Sequence, residues 1–507
     1  MNLTPIARPY FVKEARRTDR WRDYSSDIQK GMLNDLLRRG QRSEPGRKYD
    51  FRSMRNREDT YDRFAATVPT HSYEDIRDDV MRMVNGEKDV LWPGVCRNYA
   101  QSSGTSGGRS KYIPITQDNL RRCHYRGASD SVAHYLRSNP DSRMFAGKGF
   151  ALGGSFESQL KPSDPRVKIG DLSATLICRI NPLANYFRVP DMATALLPDW
   201  ELKLPRLVKA SEYADITNIS GVPSWFLTVI KEIIKDRGAQ TINEVWPNLE
   251  VFFHGGISFE PYRAIYEKLT DPGKMHFVET YNASEGFFAV QNDPEDHSML
   301  LIIDNDIFYE FIDISSADAL PVAIWDVEPG KTYELLITSS NGLWRYHLGD
   351  TVRVESVNPV KIRIAGRTKT FINAFGEELM ENNAETAMAR ACRRTSSEIK
   401  NYTAAPLFAT DNSKGRHQWL IEWHKKPDDI EAFGKILDEE LRKVNSDYAA
   451  KRSHGIFLAG PEIISLSEGT FDRWLASVGS GKLGGQRKIP RLSNDRQIVD
   501  KILEIIQ

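Results

Sequence analysis

The sequence is poor in cysteine, has no excess of either charge and lacks long apolar runs, and each shortage excludes a class of protein. Its 507 residues include four cysteines far apart, so no metal-ligand spacing or disulfide framework is present, and a reducing compartment fits best. Lysine plus arginine and aspartate plus glutamate both number 69, which argues against a nucleic-acid or anionic-membrane partner. No stretch approaches the roughly 18 apolar residues of a membrane span, and no apolar signal core opens the chain. We therefore expect a soluble cytoplasmic protein.

A Walker A loop is also missing. That loop needs the pattern G-x-x-x-x-G-K-[ST], and the nearest stretch is "GSGKLGG", which contains Gly481 and Lys482. Ala476 stands where the first glycine belongs, and Leu483 replaces the serine or threonine. The sequence therefore argues against a P-loop NTPase.

The sequence does contain strands and helices in alternation. Runs such as "LEVFFHGG" and "KMHFVETY" predict strands, and "SWFLTVIKEIIKDRG" predicts a helix that ends at Gly238, so the pattern indicates an α/β core. From Ser298 to Glu355 the sequence is β-rich, which predicts an antiparallel sheet or a distorted barrel. From about Phe371 onward, strands and helices are sufficient for a separate α+β domain.

The stretch "SSGTSGGRSK", residues 102–111, consists mostly of serine, threonine and glycine between two extended runs. Hydroxyl groups and exposed backbone N–H groups can surround phosphate oxygens, and glycine lets the backbone approach closely. Arg109 and Lys111 would add positive charge. A flexible surface loop is the alternative that composition alone leaves open.

Three further motifs decide between these alternatives. They are "YNASEG" at residues 281–286, "WRYHLGD" at 344–350 and "GQRKIPR" at 485–491. Together with the serine-glycine loop, and in this order, they resemble the adenylate-forming enzyme superfamily, whose members activate carboxylates with ATP. The closer resemblance is to the Gretchen Hagen family of acyl-acid amido synthetases, known from plant enzymes that conjugate auxin and jasmonate to amino acids. It extends from about Cys96 to Arg491.

The resemblance implies an α/β fold with two domains. A large N-terminal adenylate-forming domain, residues 1–366, would combine mixed sheets flanked by helices with a β-barrel-like subdomain. Residues 367–372 would form a hinge, and residues 373–507 a smaller, mobile α+β domain that moves between the two half-reactions. Arg367 would enter that hinge, with Lys369 or Thr370 near the pivot; a surface salt bridge is the alternative for Arg367.

The resemblance also implies the residues that bind ATP. The loop would grip the β- and γ-phosphates, the backbone after His254 would lie against the nucleotide, Tyr281 would pack near the adenine, and Asp350 would accept hydrogen bonds from the ribose. Ser284 would contact the α-phosphate and Glu285 would hold Mg²⁺, for which a hard carboxylate is suited. The implied cofactor-binding set is Ser102, Ser103, Gly104, Thr105, Ser106, Gly107, Gly255, Gly256, Tyr281, Asn282, Ala283, Ser284, Asp350 and Arg367.

This sequence departs from the family pattern at several positions. Asn282 and Ala283 differ from the common Tyr-Gly-Ser-Ser-Glu form, and His347 stands where arginine is usual. Arg345 is a candidate substitute for that arginine, and a structural role is favoured for His347. The competing interpretation of Tyr281 is a core residue. The competing interpretation of the glycine pair after His254 is an ordinary turn.

Lys488 is the catalytic lysine implied by the C-terminal motif. It would reach the α-phosphate only when the small domain is closed for adenylation. Lys482 is the competing candidate, because other members of the superfamily place this lysine after glycine. With Ser284 and Glu285, Lys488 completes the expected catalytic set.

The implied function is ATP-dependent activation of a carboxylic acid, followed by transfer of its acyl group to an amino acid or other amine. The segment from Leu120 to Trp200 is expected to line the acyl pocket, including Tyr125, Phe150, Leu152 and Phe187. An acyl-CoA ligase of the phenylacetate type, and a nucleotide-binding relative without catalysis, are the two alternatives.

Overall fold

The computed structural model describes most of the chain. The described residues are 2–102, 111–158, 160–256, 259–316, 318–367, 371–372, 379–407, 415–445, 448–449, 452, 458–478, 489–493 and 495–506. Among the predicted site residues, 103–107, Lys482 and Lys488 lie outside them, as do Gly108, Lys369 and Thr370.

The helices are concentrated at the N-terminus and on the faces of the sheets. In chain order they are α1 (Thr4–Arg17), α2 (Trp21–Gly40), α3 (Glu44–Lys48), α4 (Phe51–Met54), α5 (Thr60–Thr67), α6 (Tyr73–Val84), α7 (Gln117–Asn119), α8 (Tyr125–Ser138), α9 (Leu172–Arg179), α10 (Pro182–Tyr186), α11 (Met192–Ala195), α12 (Trp200–Ala210), α13 (Pro223–Arg237), α14 (Ile242–Val245), α15 (Glu260–Leu269), α16 (Glu381–Thr395), α17 (Ile430–Val444), α18 (Thr470–Ser477) and α19 (Gln497–Ile506). A π-helical turn, Leu120–His124, joins α7 to α8.

The strands run through both halves of the chain. They are β1 (Asn98–Ser102), β2 (Lys111–Pro114), β3 (Lys148–Ala151), β4 (Lys168–Gly170), β5 (Arg188–Val189), β6 (Ile216–Gly221), β7 (Val251–Gly255), β8 (His276–Ala283), β9 (Gly286–Val290), β10 (Met299–Leu301), β11 (Ile307–Asp313), β12 (Val322–Ala323), β13 (Thr332–Ser339), β14 (Tyr346–Val357), β15 (Val360–Arg367), β16 (Phe371–Ile372), β17 (Leu379–Met380), β18 (Glu398–Leu407), β19 (Arg416–Lys425) and β20 (Glu462–Leu466).

One twelve-stranded sheet organises the larger part of the fold. Its order among the described residues is β12-β11-β13-β14-β15-β10-β9-β8-β7-β6-β3-β5. The strands from β8 to β5 pair in parallel, whereas those from β8 to β12 pair antiparallel. The β-rich stretch after Ser298 therefore forms the antiparallel half of the same sheet, and the predicted α/β fold class with its smaller C-terminal α+β unit is confirmed.

Helices cover both faces of the parallel half because its strands are apolar on both sides. On β7, Val251 joins the larger core cluster on one face, and Phe252 joins the cluster formed with α13 and α15 on the other. The predicted end of α13 at Gly238 is confirmed, and α7 begins with a capped turn of its own. Thr116 accepts a hydrogen bond from the N–H of Asn119, and Gly238 ends α13 in the left-handed conformation.

The C-terminal part has a sheet of its own. Strands β18 and β19 pair antiparallel, β20 joins β19 in parallel, and α16 and α17 pack on the sheet through Met388, Phe433 and Leu437. The hinge at 367–372 stays a prediction. No helix within the described ranges is long and apolar enough to cross a membrane.

Candidate active site

The carboxyl ends of β3, β6, β7 and β8 open into a cavity of about 2050 Å³. In open α/β sheets this edge is where ligands bind, because the loops that follow the strands converge there. The cavity wall includes Gly221 from β6, Gly255 from β7 and Tyr281 from β8. Asp350 from β14 also lines it, so the parallel and antiparallel halves of the sheet contribute to one site.

A hydrogen bond joins two of the sequence motifs. The hydroxyl of Tyr281 donates to Oδ2 of Asp350 across 2.6 Å, although the two residues are 69 positions apart. Both side chains are buried, and the Tyr281 ring packs on Phe288 with 4.8 Å between the ring centres. The backbone of Arg367 is the strand partner of Asp350, so the start of the predicted hinge lies beside that carboxylate.

Ser284 and Glu285 form the two-residue turn between β8 and β9. Both are buried, with Glu285 only 6% exposed, and both line the cavity. Asn341 donates its side-chain N–H to the backbone oxygen of Glu285 at 3.1 Å. Two residues after Glu285, the N–H of Phe287 donates to Sγ of Cys123 in the π-helical turn at 3.2 Å. Contacts from two distant elements therefore hold this turn in place.

The turn after β7 requires glycine. A Cβ at Gly255 would lie 2.4 Å from the carbonyl oxygen of Thr280 on β8, and Gly256 has a φ of +82°. Thr280 also donates its hydroxyl to the carbonyl of His254 at 3.0 Å. The His254 ring stacks on Phe259 at 4.1 Å, and burial lowers its pKa to about 3. Bare backbone thus approaches the cavity at this turn.

The residues on either side of the predicted phosphate loop are strand partners, and one of them lines the cavity. Ser102 and Lys111 are paired residues of the antiparallel strands β1 and β2, so the residues between them connect a hairpin. Lys111 lines the cavity, and its Nζ lies 5.8 Å from the centre of the Tyr73 ring.

Arg345 does not supply the missing arginine of the motif. Its guanidinium is buried away from the cavity, where it pairs with both oxygens of Glu310 and donates to the carbonyls of Ala65 and Val68. His347 does line the cavity, and its Nδ1 lies 3.0 Å from Oε1 of Glu334. The prediction that Arg345 takes the place of the missing motif arginine is therefore wrong. Its charge instead stabilises the packing of the N-terminal helices on β11.

The residues after Lys488 lie against the C-terminal sheet at the edge of the cavity. The hydroxyl of Thr403 donates to the carbonyl of Pro490 at 2.6 Å, and the N–H of Ala404 donates to the carbonyl of Arg491 at 2.9 Å. Arg491 is stacked over Tyr402 at 4.7 Å and reaches the hydroxyl of Tyr262, in the large domain, at 3.5 Å. The three residues that follow Lys488 therefore line the cavity.

Apolar side chains also line the cavity. Leu152 and Tyr125, two of the residues predicted for the acyl pocket, are among them, together with Leu172, Leu176, Ile177, Leu197 and Trp225. The acyl pocket itself stays a prediction. Phe150 and Phe187 are not among the described residues that line the cavity. Phe150 is fully buried against Phe226 and Trp246, because strand alternation turns it into the core.

The sequence analysis did not identify several ionisable side chains of the cavity, among them Glu279, His124 and Lys203. Burial raises the pKa of Glu279 to about 7 and lowers the pKa of His124 to about 4 and that of Lys203 to about 8. A glutamate inside the apolar strand "HFVETY" was a signal that could have been noticed. Nothing in the local sequence distinguishes Lys203 from the other lysines.

Family models match most of the chain. The GH3 family N-terminal domain matches residues 15–275, more than half of the protein. The chain belongs to the GH3 family. The GH3 central domain follows at residues 300–367 and the GH3 C-terminal domain at residues 382–497, so the family assigned from the motifs is confirmed.

Curated relatives and solved structures agree with the GH3 assignment. An indole-3-acetic acid-amido synthetase GH3.4 from Arabidopsis thaliana is 21% identical over 96% of this chain and 92% of its own length. Indole-3-acetic acid-amido synthetase GH3.10 from the same plant is 25% identical over 86% of this chain and 87% of its own length. The fold resembles the GH3.15 acyl acid amido synthetase, with a TM-score of 0.76, 18% identity and coverage of 97% and 95%. It also resembles a 2-hydroxyisobutyryl-CoA ligase, with a TM-score of 0.60 and 12% identity. That match covers 94% of this chain and 90% of the ligase.

Proposed function

We propose that the protein is an ATP-dependent acyl-acid amido synthetase. A carboxylate oxygen of the acid attacks the α-phosphorus of ATP, pyrophosphate leaves and an acyl-adenylate forms. The nitrogen of an amino acid or other amine then attacks the acyl carbon, the bond to AMP breaks and an amide forms. The observation that carries the proposal is the Tyr281–Asp350 hydrogen bond, in a cavity that also holds Glu285 and has an apolar end. Membership of the GH3 family supports the same reaction.

The nucleotide would lie across the carboxyl edge of the parallel strands. The loop between Ser102 and Lys111 would donate to the β- and γ-phosphates, and the backbone at Gly255 and Gly256 would lie along the nucleotide. Asp350 would accept hydrogen bonds from the ribose, because a carboxylate can bridge two neighbouring hydroxyls. The Tyr281 hydroxyl orients that carboxylate. Asn282 and Ala283 would border the adenine, and Ser284 would donate to the α-phosphate.

Glu285 is the residue that fits Mg²⁺. The described residues contain no group of three or more His, Cys, Asp or Glu side chains arranged to hold a metal. Mg²⁺ that acts on nucleotides is usually held by one or two carboxylates plus phosphate oxygens and waters, so a single buried carboxylate beside Ser284 suits it. When bound, Mg²⁺ neutralises negative charge that builds up on the phosphates.

The second half-reaction would need movement of the small domain. Lys488 would stabilise the α-phosphate during adenylation and withdraw before the amine enters, with residues 367–372 as the hinge between 1–366 and 373–507. The strand pairing of Asp350 with Arg367 supports this hinge, because ribose binding and the start of the hinge share one backbone contact. Water would be excluded while the adenylate forms.

A screen of carboxylic acids for pyrophosphate release, with and without a mixture of amino acids, tests this function. We expect release with suitable acids, amide and AMP formation when amino acids are present, and no thioester when CoA replaces them. Glu285→Gln should abolish release while the Tm stays within a few degrees, and Glu328→Gln on an exposed loop is the control. Thioester formation in place of amide formation would favour the acyl-CoA ligase, and ATP binding without release by any acid would favour a relative without catalysis.

A further inference from the structure

Lys203 is a buried lysine with unused hydrogen-bond donors in the wall of the cavity. Its residue on α12 is only 3% exposed and lines the cavity. Its ammonium donates to the carbonyl of Gly153, and among the described residues no carboxylate lies within 4.0 Å of it. An ammonium has three N–H donors, so two of them find no acceptor in the described part of the chain.

Burial is the dominant influence on this ammonium, which lies in the cavity wall. A Cβ on Gly153 would lie 2.3 Å from Cδ1 of Ile177 and 3.8 Å from Oγ of Ser173, which places the Gly153 carbonyl beside α9. Asp171 is the one acid that raises the pKa of Lys203, and burial outweighs it, so the pKa falls to about 8. Removal of an ammonium from water costs several kcal/mol, and Asp171 offsets only part of that cost. An anionic ligand in the cavity would remove that penalty.

Lys203 is remote from the place where the reacting carboxylate would meet ATP. Its partner Gly153 follows β3, whereas Ser284 follows β8, and β7 and β6 lie between those two strands. Three strand spacings correspond to about 14 Å. The strand order therefore puts the carbonyl that Lys203 contacts three strands away from the strand that leads to Ser284, and an anion bound by Lys203 would belong to the other end of the acyl substrate.

We propose that Lys203 binds a second carboxylate of the acyl substrate, so that the preferred acids are dicarboxylic acids with their two carboxylates at opposite ends. The inference rests on the proposed function, since it names the substrate class of that site. The apolar side chains of Leu152, Leu176 and Ile177 would contact the chain between the two carboxylates. The pair of Lys203 with the far carboxylate would be charge-assisted and shielded from water.

The test compares straight-chain dicarboxylic acids of increasing length with monocarboxylic acids of the same length, using pyrophosphate release. We expect kcat/KM for the best dicarboxylic acid to exceed that of its monocarboxylic partner by about tenfold or more, which is about 1.4 kcal/mol. Lys203→Met, which keeps length and removes charge, should abolish this preference and leave or raise activity on the monocarboxylic acid. Lys203→Arg should retain part of the preference.

Lys209→Met is the matched control, because Lys209 is exposed on the same helix. It should leave both activities unchanged. The preference of the wild type should also fall as the pH rises above about 8, because a neutral amine cannot pair with the far carboxylate. Equal losses on both acids in Lys203→Met would show a structural role and overturn the inference, as would a wild-type preference for monocarboxylic acids at every length.

The two proposals can fail separately. If monocarboxylic acids are adenylated and Lys203→Met changes nothing, the proposed function stands and the substrate class is wrong. If no acid of either kind releases pyrophosphate, the proposed function fails, and calorimetric binding of the dicarboxylic acids decides the inference. Binding that Lys203→Met removes would support it, and absence of binding would overturn it.

Discussion

Tyr281 and Asp350 show what a single side-chain contact adds at the scale of the residue. The motifs identify both residues, and for Tyr281 a position in the core is the competing interpretation. The structure joins them through a buried hydrogen bond of 2.6 Å. A hydrogen bond to a charged acceptor contributes about 1.5–3 kcal/mol, and this one fixes the orientation of the carboxylate before ATP binds.

Removal of this hydroxyl should weaken ATP binding selectively. We predict that Tyr281→Phe raises KM for ATP by about tenfold, equivalent to about 1.4 kcal/mol, while kcat changes much less. Initial-rate kinetics with varied ATP measure the effect. Tyr309→Phe is the control, since it removes a buried hydroxyl that donates to the carbonyl of Ile302 in the core, and KM for ATP should not change. An equal rise in both variants would contradict an orienting role.

At the scale of the element, turns and helix ends follow local chemistry closely. Thr116 begins α7 and Gly238 ends α13 as their residue types predict. The turn after β7 depends on something that local chemistry does not show, which is the closeness of β8. The carbonyl of Thr280 leaves no room for a side chain at Gly255, so the neighbouring strand imposes glycine there.

Two glycine substitutions should therefore have opposite effects. Gly255→Ala would overpack the end of β7, which typically costs about 1–3 kcal/mol, and should also weaken nucleotide binding. Gly31 lies in the middle of α2 on an exposed face. No described atom beyond its own helix would lie within 4 Å of the Cβ that Gly31→Ala adds. It should raise the free energy of unfolding by about 0.5–1 kcal/mol. Urea unfolding of both variants checks the signs, and destabilisation by both would refute the packing argument.

At the scale of the whole molecule, the segment after Lys488 links the two domains. Residues 489–492 lie on β18 through backbone and side-chain hydrogen bonds, and Arg491 reaches from there to Tyr262. The ion pairs Lys268–Glu398 and Arg393–Glu260 also cross between the domains, but they are solvent-exposed and contribute little. Arg491 is half-buried and is thus the group that joins the segment to the large domain beside the cavity.

Arg491→Lys should slow adenylation more than amide formation. Lysine keeps the charge but loses the forked contact with Tyr402 and Asn401, so the segment leading to Lys488 would be held less firmly. We predict that pyrophosphate release falls about tenfold or more, equivalent to about 1.4 kcal/mol in the barrier. Aminolysis of preformed acyl-adenylate should fall by less. Arg496→Lys is the control, because Arg496 binds Pro406 and Gln418 away from the cavity, and equal slowing of both half-reactions would contradict the prediction.

The sequence by itself determined the α/β class, the family and the order of the motifs, since these depend on local periodicity, turn residues and spacing along the chain. The tertiary structure decided which of those side chains meet. Arg345 pairs with Glu310 in the interior, Phe150 turns into the core, and Lys203 lies in the cavity wall. Each of these outcomes depends on elements that are distant in sequence and become neighbours only when the sheet forms. Burial and its electrostatic consequences are therefore properties of the packed molecule, and no local pattern encodes them.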